Sequence, residues 1–393
     1  MKRTMYLMFA ITLMLCVFPF DSEAQPTDEE MIINRVNSVK EAFIAKDVDA
    51  ILANFSEDYE SGEGDSKAEF RRGLKMVIGL GLLPDIEMDL DDPQIEISGD
   101  TATFVTLDES GQRDQAYILQ KEEDGVWRIV GDIECTYEQY VRSYGDESIK
   151  IGEYYRAWDI HVPKGVSGSV PLVIDLHGHS SSPSEQQKFS KFKSLADSEG
   201  FIVVWPYGLC GSWNSGPPCC PPANVDNLED VSFLRKMIET VSSKHDIDTN
   251  RIYVTGLSNG ASMAQRLANE ASDLIAAAAG VSLHLLLPKA ADYTPVPMII
   301  LYGNLDTDIY APDDFVTAKE NFDTWKTMNE CAGSYEETWR DGESVAWTYK
   351  DCAGGTEVTM VTLDQGVHIL YQGHQTEFDT TRMAWDFMKR FSK

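Results

Sequence analysis

Residues 251–267 read Arg251-Ile252-Tyr253-Val254-Thr255-Gly256-Leu257-Ser258-Asn259-Gly260-Ala261-Ser262-Met263-Ala264-Gln265-Arg266-Leu267. The first five residues predict a buried strand and the last seven predict a helix, joined by a G-x-S-x-G turn. Such a turn is too tight for side chains two positions before and after the serine, which explains Gly256 and Gly260. The turn also places Ser258 at a helix N-terminus, where free N–H groups favour negative charge. This stretch predicts a nucleophilic serine at the edge of an α/β sheet.

Strands alternate with helices on both sides of this turn, throughout residues 148–393. The predicted strands are Tyr154–Val162, Val170–Leu176, Phe201–Trp205, Arg251–Thr255, Ile275–Val281, Val296–Tyr302 and Glu357–Leu363, and the predicted helices are 185–199, 228–244, 259–271, 314–329 and 378–391. Several strands are almost wholly apolar, as strands buried on both faces must be. The pattern predicts a doubly wound sheet of the α/β-hydrolase class.

A serine nucleophile needs an acid and a histidine, which follow it in the chain order Ser, Asp, His in this class of sheet. Asp306 stands in a turn directly after the apolar strand Met298–Tyr302, and we predict it as the acid, with Asp308 as the alternative. His368 follows the last predicted strand and precedes the final helix, and we predict it as the base, with His374 as the alternative.

Acyl transfer also needs hydrogen-bond donors for an oxyanion. The strand ending at Leu176 opens into the turn His177-Gly178-His179. We therefore predict the backbone N–H groups of His179 and Asn259 as donors. Two metal sites are alternatives: a zinc pair at His177 and His179, and a calcium cluster at Asp306, Asp308, Asp313 and Asp314. Neither matches a known ligand spacing, and no metal or cofactor is predicted.

The segment before this domain, residues 25–147, has a different pattern. Helical periodicity at 28–53 and 67–82 is followed by four alternating strands, Gln94–Ile97, Thr101–Leu107, Gln115–Lys121 and Val126–Ile133. This order predicts an α+β domain with a curled sheet, and it resembles the cone-shaped fold of nuclear-transport-factor-2-like (SnoaL-type) proteins. The segment contains no histidine. We therefore expect a non-catalytic accessory domain, and dimerisation through it stays open.

The charge balance and the N-terminus bear on location and partners. The 393 residues carry a formal net charge of −31, and residues 25–147 hold 30 acidic against 11 basic side chains. An excess of acidic over basic side chains disfavours binding to nucleic acid. Residues 1–24 combine a basic start, an apolar run of about 16 residues and a small-x-small end, which predicts a cleaved signal peptide. A single membrane anchor is the alternative; we expect a secreted or periplasmic protein without stable membrane insertion.

Six cysteines follow residue 24, and in an oxidising compartment they can pair. Cys331 and Cys352 close a short loop, and we predict a disulfide between them. We expect Cys210 to pair with Cys219 or Cys220, because adjacent cysteines rarely bond each other.

Several blocks of residues 150–393 resemble the poly(3-hydroxybutyrate) depolymerase and feruloyl esterase family of secreted α/β-hydrolases. These blocks are Leu176-His177-Gly178-His179, Gly200–Pro206, Ser212-Trp213-Asn214, Cys219-Cys220, Asp230–Leu234 and Gly256–Gly260. The resemblance implies a serine carboxylesterase acting on hydroxyalkanoate oligomers, feruloyl-type esters or similar polyesters. Trp213 lies in the Pro-, Cys- and Gly-rich loop at 208–222, and we predict it as a wall for an aromatic or oligomeric ester, with simple loop packing as the alternative. The family's Gly-Gly-Gly-His-Thr-Trp-Pro-Gly segment is Gly366-Val367-His368-Ile369-Leu370-Tyr371 here. A serine peptidase and a non-catalytic binding protein are the alternatives.

Overall fold

The computed structural model describes residues 26–61, 66–79, 90, 92–107, 113–132, 135, 137, 140, 143–306, 318–374 and 376–393. The predicted signal peptide at residues 1–24 and the alternative acid Asp308 lie outside these residues. The described helices and strands form two sheets with separate cores.

The first sheet lies in the N-terminal segment. It consists of β1 (Phe55–Glu60), β2 (Gln94–Ser98), β3 (Thr101–Leu107), β4 (Arg113–Lys121) and β5 (Trp127–Asp132), in the order β1-β5-β4-β3-β2, with helices α1 (Asp28–Ile44), α2 (Val48–Leu52) and α3 (Lys67–Gly79). Thr27 and Glu30 form a capping box that starts α1. The apolar stripe of α1, with Ile32, Val36 and Val39, packs into the same core as Phe104 and Leu119. The antiparallel meander β2 to β5 is confirmed, as is the helix predicted from residue 67 within the described residues. The helical stretch predicted over 28–53 is divided into α1 and α2, because Lys46 adopts a left-handed conformation with φ 54° between them.

The strand β1 was not predicted from the sequence. It pairs in parallel with β5, and its residues Phe-Ser-Glu-Asp-Tyr-Glu follow no strict apolar alternation. Phe55 and Tyr59 are buried, whereas three acidic side chains of the strand face solvent. The segment pairs because β5 offers it an edge, which is a tertiary effect that overrides local pattern.

In the described residues, the second sheet has ten strands. They are β6 (Glu147–Ile151), β7 (Tyr154–His161), β8 (Val170–Leu176), β9 (Ile202–Pro206), β10 (Ile247–Gly256), β11 (Ala277–Val281), β12 (Met298–Gly303), β13 (Glu336–Asp341), β14 (Ser344–Tyr349) and β15 (Val358–Leu363), in the order β13-β14-β15-β12-β11-β10-β8-β9-β7-β6. The six strands from β15 to β9 run parallel, and the strands at both edges are antiparallel. This is a doubly wound mixed sheet, as predicted.

Helices accompany this sheet, and apolar cores fill the space on its two sides. The helices are α4 (Pro183–Ser190), α5 (Phe192–Glu199), α6 (Asp230–Lys244), α7 (Asn259–Glu270), α8 (Ala318–Met328) and α9 (Thr380–Met388). The single helix predicted over 185–199 is wrong: Lys191 adopts a left-handed conformation with φ 54° and separates α4 from α5. Within the described ranges, no helix is both long and apolar enough to cross a membrane.

The register of the parallel strands determines where the functional loops meet. Leu176 at the end of β8 lies opposite Gly256 at the end of β10, and Gly303 at the end of β12 lies opposite Leu363 at the end of β15. Because parallel strands end at one edge of a sheet, all four following loops emerge on the same side.

The disulfides differ in part from the prediction. Cys331 pairs with Cys352, as predicted. The expectation that Cys210 pairs with Cys219 or Cys220 is wrong, because Cys210 pairs with Cys135 and the two adjacent cysteines pair with each other. A partner 75 residues upstream reaches Cys210 because the segment before β6 packs against the loop that follows β9, where Tyr140 Oη accepts a hydrogen bond from the Cys210 amide at 2.7 Å.

Candidate active site

Ser258 occupies a strained turn between β10 and α7. Its φ of 54° and ψ of −122° are unusual for a residue with a side chain. The turn is packed without spare room: a Cβ atom on Gly260 would lie 2.3 Å from the Leu176 carbonyl oxygen, and one on Gly256 would lie 2.6 Å from the Gly260 carbonyl. The Ser258 amide donates to the Val281 carbonyl at 2.8 Å, which fixes the serine above β11. The predicted strand–turn–helix is confirmed.

His368 and Asp306 meet in the loops that follow β15 and β12, at the sheet edge from which the turn after β10 also emerges. Nδ1 of His368 lies 2.9 Å from Oδ2 of Asp306, and the carboxylate side chain is 1% exposed. A carboxylate can only accept a hydrogen bond, so Nδ1 carries the proton and Nε2 is the ring nitrogen that can take one up. The structure thus pairs the two residues that the sequence singled out, although 62 positions separate them.

The two loops that carry these residues are held against each other by glycines. A Cβ atom on Gly303 would lie 2.2 Å from the Gly366 carbonyl carbon, so only glycine fits there. The Leu305 amide donates to the Gly366 carbonyl at 2.9 Å, and the Asn304 amide donates to the Leu363 carbonyl at 3.1 Å. This backbone contact holds the turn that carries Asp306 against the loop that carries His368.

His374, the alternative base, has a different environment. Its ring packs edge-on against Phe189 with 4.8 Å between ring centroids. Its backbone amide donates to the Tyr371 carbonyl at 3.0 Å. In the described residues Asp306 is paired with His368, and His374 lies on the far side of the loop, against α4.

The turn after β8 contacts the serine turn directly. A Cβ atom on Gly178 would lie 3.6 Å from the Ser258 Cβ atom, which is ordinary van der Waals contact. Asn259 is the first residue of α7, and the amides of a first helical turn have no partner within their helix. The backbone of His179 follows Gly178, while its ring turns away and donates from Nε2 to the Pro221 carbonyl at 2.8 Å. The turn after β8, which carries His179, and the start of α7, which carries Asn259, therefore both adjoin Ser258.

His177 has both ring nitrogens engaged by the backbone. The Gly208 amide donates to Nε2 at 2.9 Å, so Nδ1 carries the proton and donates to the Gly178 carbonyl at 2.7 Å. Burial lowers the pKa of His177 to about 4, so the ring is neutral at physiological pH. A ring whose two nitrogens are used in this way is not a metal ligand, which argues against the zinc pair.

Trp213 is fully buried, with 0% of its surface exposed. Its indole N–H donates to the His177 carbonyl at 3.1 Å, and its backbone amide donates to Oδ1 of Asn259 at 2.8 Å. The prediction that Trp213 forms a wall for the substrate is wrong, because a ring without exposed surface cannot meet a molecule arriving from solvent. Trp213 instead packs the loop after β9 against the serine turn.

The Asn259 side chain completes this attachment. Its Nδ2 group donates to the Trp213 carbonyl at 3.0 Å and to Oγ of Ser215 at 3.0 Å. The same loop is anchored to β7 and α6 by a buried ion pair, Arg156 to Asp230 at 2.6 Å, and Asp230 also accepts from the Asn214 amide at 2.7 Å. Sequence reasoning missed this pair, although Arg156 next to Ala157 and Trp158 in a predicted strand was a visible signal.

Comparison with known proteins gives matches over this domain. Residues 157–291 match the family described as Esterase PHB depolymerase. Feruloyl esterase B of Piromyces equi is 31% identical over 255 residues, which is 59% of this chain and 45% of the relative. Poly(3-hydroxyalkanoate) depolymerase C of Paucimonas lemoignei is 31% identical over 126 residues, which is 31% of this chain and 30% of the relative.

Among solved structures, an acetyl xylan esterase from Aspergillus awamori is matched with a TM-score of 0.46 and 16% identity, over 60% of this chain and 94% of that one. The chain spans less than half the length of the two curated relatives named above. The sequence matches and the sheet with its serine turn agree: this part of the chain is similar to esterases of the family described as Esterase PHB depolymerase, on an α/β sheet.

Proposed function

We propose that this protein is a serine carboxylesterase that uses Ser258, His368 and Asp306. The observation that carries the proposal is the contact of His368 Nδ1 with the buried Asp306 carboxylate, at the sheet edge where the strained turn raises Ser258. Ser258, Asp306 and His368 supply the nucleophile, the acid and the base of a Ser-His-Asp triad, in the chain order typical of an α/β-hydrolase sheet.

In the proposed reaction Ser258 Oγ attacks the ester carbonyl carbon while Nε2 of His368 takes the hydroxyl proton. The backbone N–H groups of His179 and Asn259 donate to the resulting oxyanion. His368 returns the proton to the departing alcohol, leaving an acyl-enzyme. Water then attacks the acyl carbon, with His368 again as base, and the acid and free serine are released. Asp306 holds the imidazole in the required tautomer and stabilises its positive charge.

The substrate class comes from the relatives. Their printed names describe feruloyl esterases, acetylxylan esterases and a poly(3-hydroxyalkanoate) depolymerase. We propose a carboxylic ester of this range, either a hydroxyalkanoate oligomer or a feruloyl-type ester. The mechanism needs no cofactor, and dialysis against a chelator should leave the rate unchanged.

We further propose that the protein is secreted or periplasmic, and that residues 25–147 form a nuclear-transport-factor-2-like accessory domain. Three disulfides in the described residues support an oxidising compartment. The order of helices and strands around the sheet β1-β5-β4-β3-β2 supports the accessory fold. A sedimentation experiment can measure whether the protein dimerises through this domain.

A fluorophosphonate probe tests the catalytic proposal. We expect it to label the wild-type protein and Ser262→Ala, a control that removes a buried serine of α7, but not Ser258→Ala. Absence of labelling in the wild type would support the binding-protein alternative. Hydrolysis rates on acetyl, hydroxybutyrate-oligomer and feruloyl esters, beside a peptide amide, identify the substrate, and a preference for the amide would support a peptidase instead.

A further inference from the structure

The loop that carries His368 is attached to the domain on both sides of the histidine. On the side before it, Gly366 contacts Gly303 and accepts a hydrogen bond from the Leu305 amide. This attachment fixes the residues before His368 to the turn that carries Asp306. It does not fix the residues that follow His368.

On the side after the histidine, Leu370 and Tyr371 turn into the protein. They are 0% and 1% exposed. The Tyr371 amide donates to the Ile369 carbonyl at 3.0 Å, so the chain bends sharply straight after His368. Thr380, the first residue of α9, donates its hydroxyl to the Leu370 carbonyl. Leu370 and Tyr371 therefore attach the loop to the protein interior directly after the histidine.

The phenol of Tyr371 is held by a buried amide. Nε2 of Gln186, on α4, donates to the Tyr371 hydroxyl at 3.0 Å and to Oδ1 of Asp175 at 2.7 Å. Gln186 is 0% exposed. One amide group thus joins the histidine loop to an acidic side chain 196 residues earlier in the chain.

Asp175 is itself held in place from three directions. Besides Gln186, the hydroxyl of Ser190 donates to it at 2.6 Å and the indole N–H of Trp205 donates at 2.9 Å. Asp175 lies in β8, directly before Leu176 and the turn that contacts Ser258. Burial raises the pKa of Asp175 to about 7 against the effect of these three donors. A fully buried carboxyl is costly in an apolar core, which calls for a role beyond filling space.

We propose that Asp175, Gln186 and Tyr371 form a positioning cluster that sets the place of His368 relative to the oxyanion turn. The cluster connects the strand that leads into that turn with the loop that presents the base. None of its members reaches the substrate, and each acts through the backbone it holds. The inference rests on the proposed esterase function.

The test compares two buried tyrosines. Tyr371→Phe removes the hydroxyl that Gln186 holds, and Tyr253→Phe is the matched control. Tyr253 is 0% exposed and donates its hydroxyl to the Phe391 carbonyl at 2.8 Å, away from the histidine loop. We expect Tyr371→Phe to lower kcat about tenfold with KM little changed, because small displacements of a catalytic group are costly. Tyr253→Phe should keep the wild-type kcat.

Gln186→Met supplies a second variant, since it keeps the side-chain length without the amide. We expect the same loss of kcat, and the double variant with Tyr371→Phe should lose no more than either single variant, because both break one network. The rate of fluorophosphonate labelling should fall with kcat. Circular dichroism checks that each variant folds. If Gln186→Met does not fold, the comparison of Tyr371→Phe with Tyr253→Phe tests the inference by itself.

If Tyr371→Phe and Tyr253→Phe share the wild-type kcat and differ from wild type only in stability, the cluster is structural and the inference is wrong. Failure of the proposed function has a different signature, since the wild-type protein itself would then neither react with the probe nor hydrolyse esters.

Discussion

Nδ1 of His368 lies 2.9 Å from Oδ2 of Asp306, and the carboxylate is 1% exposed while the ring is 24% exposed. The acid is thus shielded from solvent and the base is accessible to a substrate. A buried carboxylate that holds a partly exposed imidazole keeps one ring tautomer, as the proposed general base for Ser258 requires.

Asp306→Asn should therefore lower kcat by about four orders of magnitude, because an amide can stabilise the wrong tautomer of the ring. Asp364→Asn is the control: Asp364 is an exposed carboxylate near the same loops that accepts from Nδ2 of Asn304 at 2.8 Å. Steady-state ester hydrolysis checks both. A retained rate in Asp306→Asn, with loss in Asp308→Asn, would move the acid to Asp308.

The two histidines of the loop give a second prediction. His368→Gln should lower kcat by about 10⁴-fold or more, as loss of a triad member does. His374→Gln should keep the rate, because its ring packs against Phe189 rather than against the acid. The same ester assay measures both variants, and the reverse order of activities would identify His374 as the base.

A substitution can separate the proposed oxyanion N–H of Asn259 from the contacts of its side chain. Asn259→Ala keeps the backbone N–H of the oxyanion site but removes the partners of the buried amide and carbonyl of Trp213. We expect the free energy of unfolding in urea to fall by about 2–4 kcal/mol, since two buried backbone groups lose their hydrogen bonds. Asn224→Ala is the control, because it removes a hydrogen bond of 3.3 Å from Nδ2 to the Pro218 carbonyl. We expect it to lower the free energy of unfolding by less. Equal stabilities would mean that the loop after β9 does not depend on Asn259.

The disulfides differ in the length of chain that they close. The pair Cys331–Cys352 has a sequence separation of 21, and the pair Cys135–Cys210 has one of 75. Replacing both cysteines of a pair by alanine should lower the free energy of unfolding by about 3 kcal/mol for the shorter loop and about 4 kcal/mol for the longer one in the chain-entropy picture. Urea unfolding of the two double variants tests the order, and a larger loss for the shorter loop would contradict it.

His177 and Asp175 are predicted to make opposite contributions to the pH dependence of stability. The pKa of His177 falls from 6.5 to about 4 on burial, so the unfolded chain binds a proton in this window that the native state does not. Its contribution to stability is lost as the pH falls. The pKa of Asp175 rises from 3.8 to about 7, so the native state keeps a proton that the unfolded chain releases, and its contribution is lost as the pH rises.

These two effects overlap and largely cancel in the wild-type protein. His177→Gln should remove one of them, so the stability of wild type relative to this variant should increase by about 3 kcal/mol from pH 4 to pH 6.5. Asp175→Asn should give the opposite slope. Urea unfolding across this pH range measures both, and parallel curves for wild type and His177→Gln would show that His177 does not titrate as described.

The sequence alone determined the local features of this protein. The turn at Ser258 is readable from the G-x-S-x-G pattern between a strand and a helix. A side chain at 256 would meet the backbone of Gly260 within the turn, whereas one at 260 would meet the backbone of Leu176 and His177 after β8. The parallel strands are readable because burial on both faces requires continuous apolar runs. The order of candidates along the chain, with Asp306 and His368 after two such strands, follows from the same pattern.

Only the tertiary structure decided which distant residues meet. The partner of Cys210, the burial of Trp213, the strand β1 and the network from Asp175 to Tyr371 all depend on contacts between segments far apart in the chain. The pairing of His368 rather than His374 with Asp306 depends on where a loop bends, which Gly303 and Gly366 impose by their close approach. Local sterics and periodicity are properties of short stretches, whereas these contacts exist only after the sheet has brought its loops to one edge.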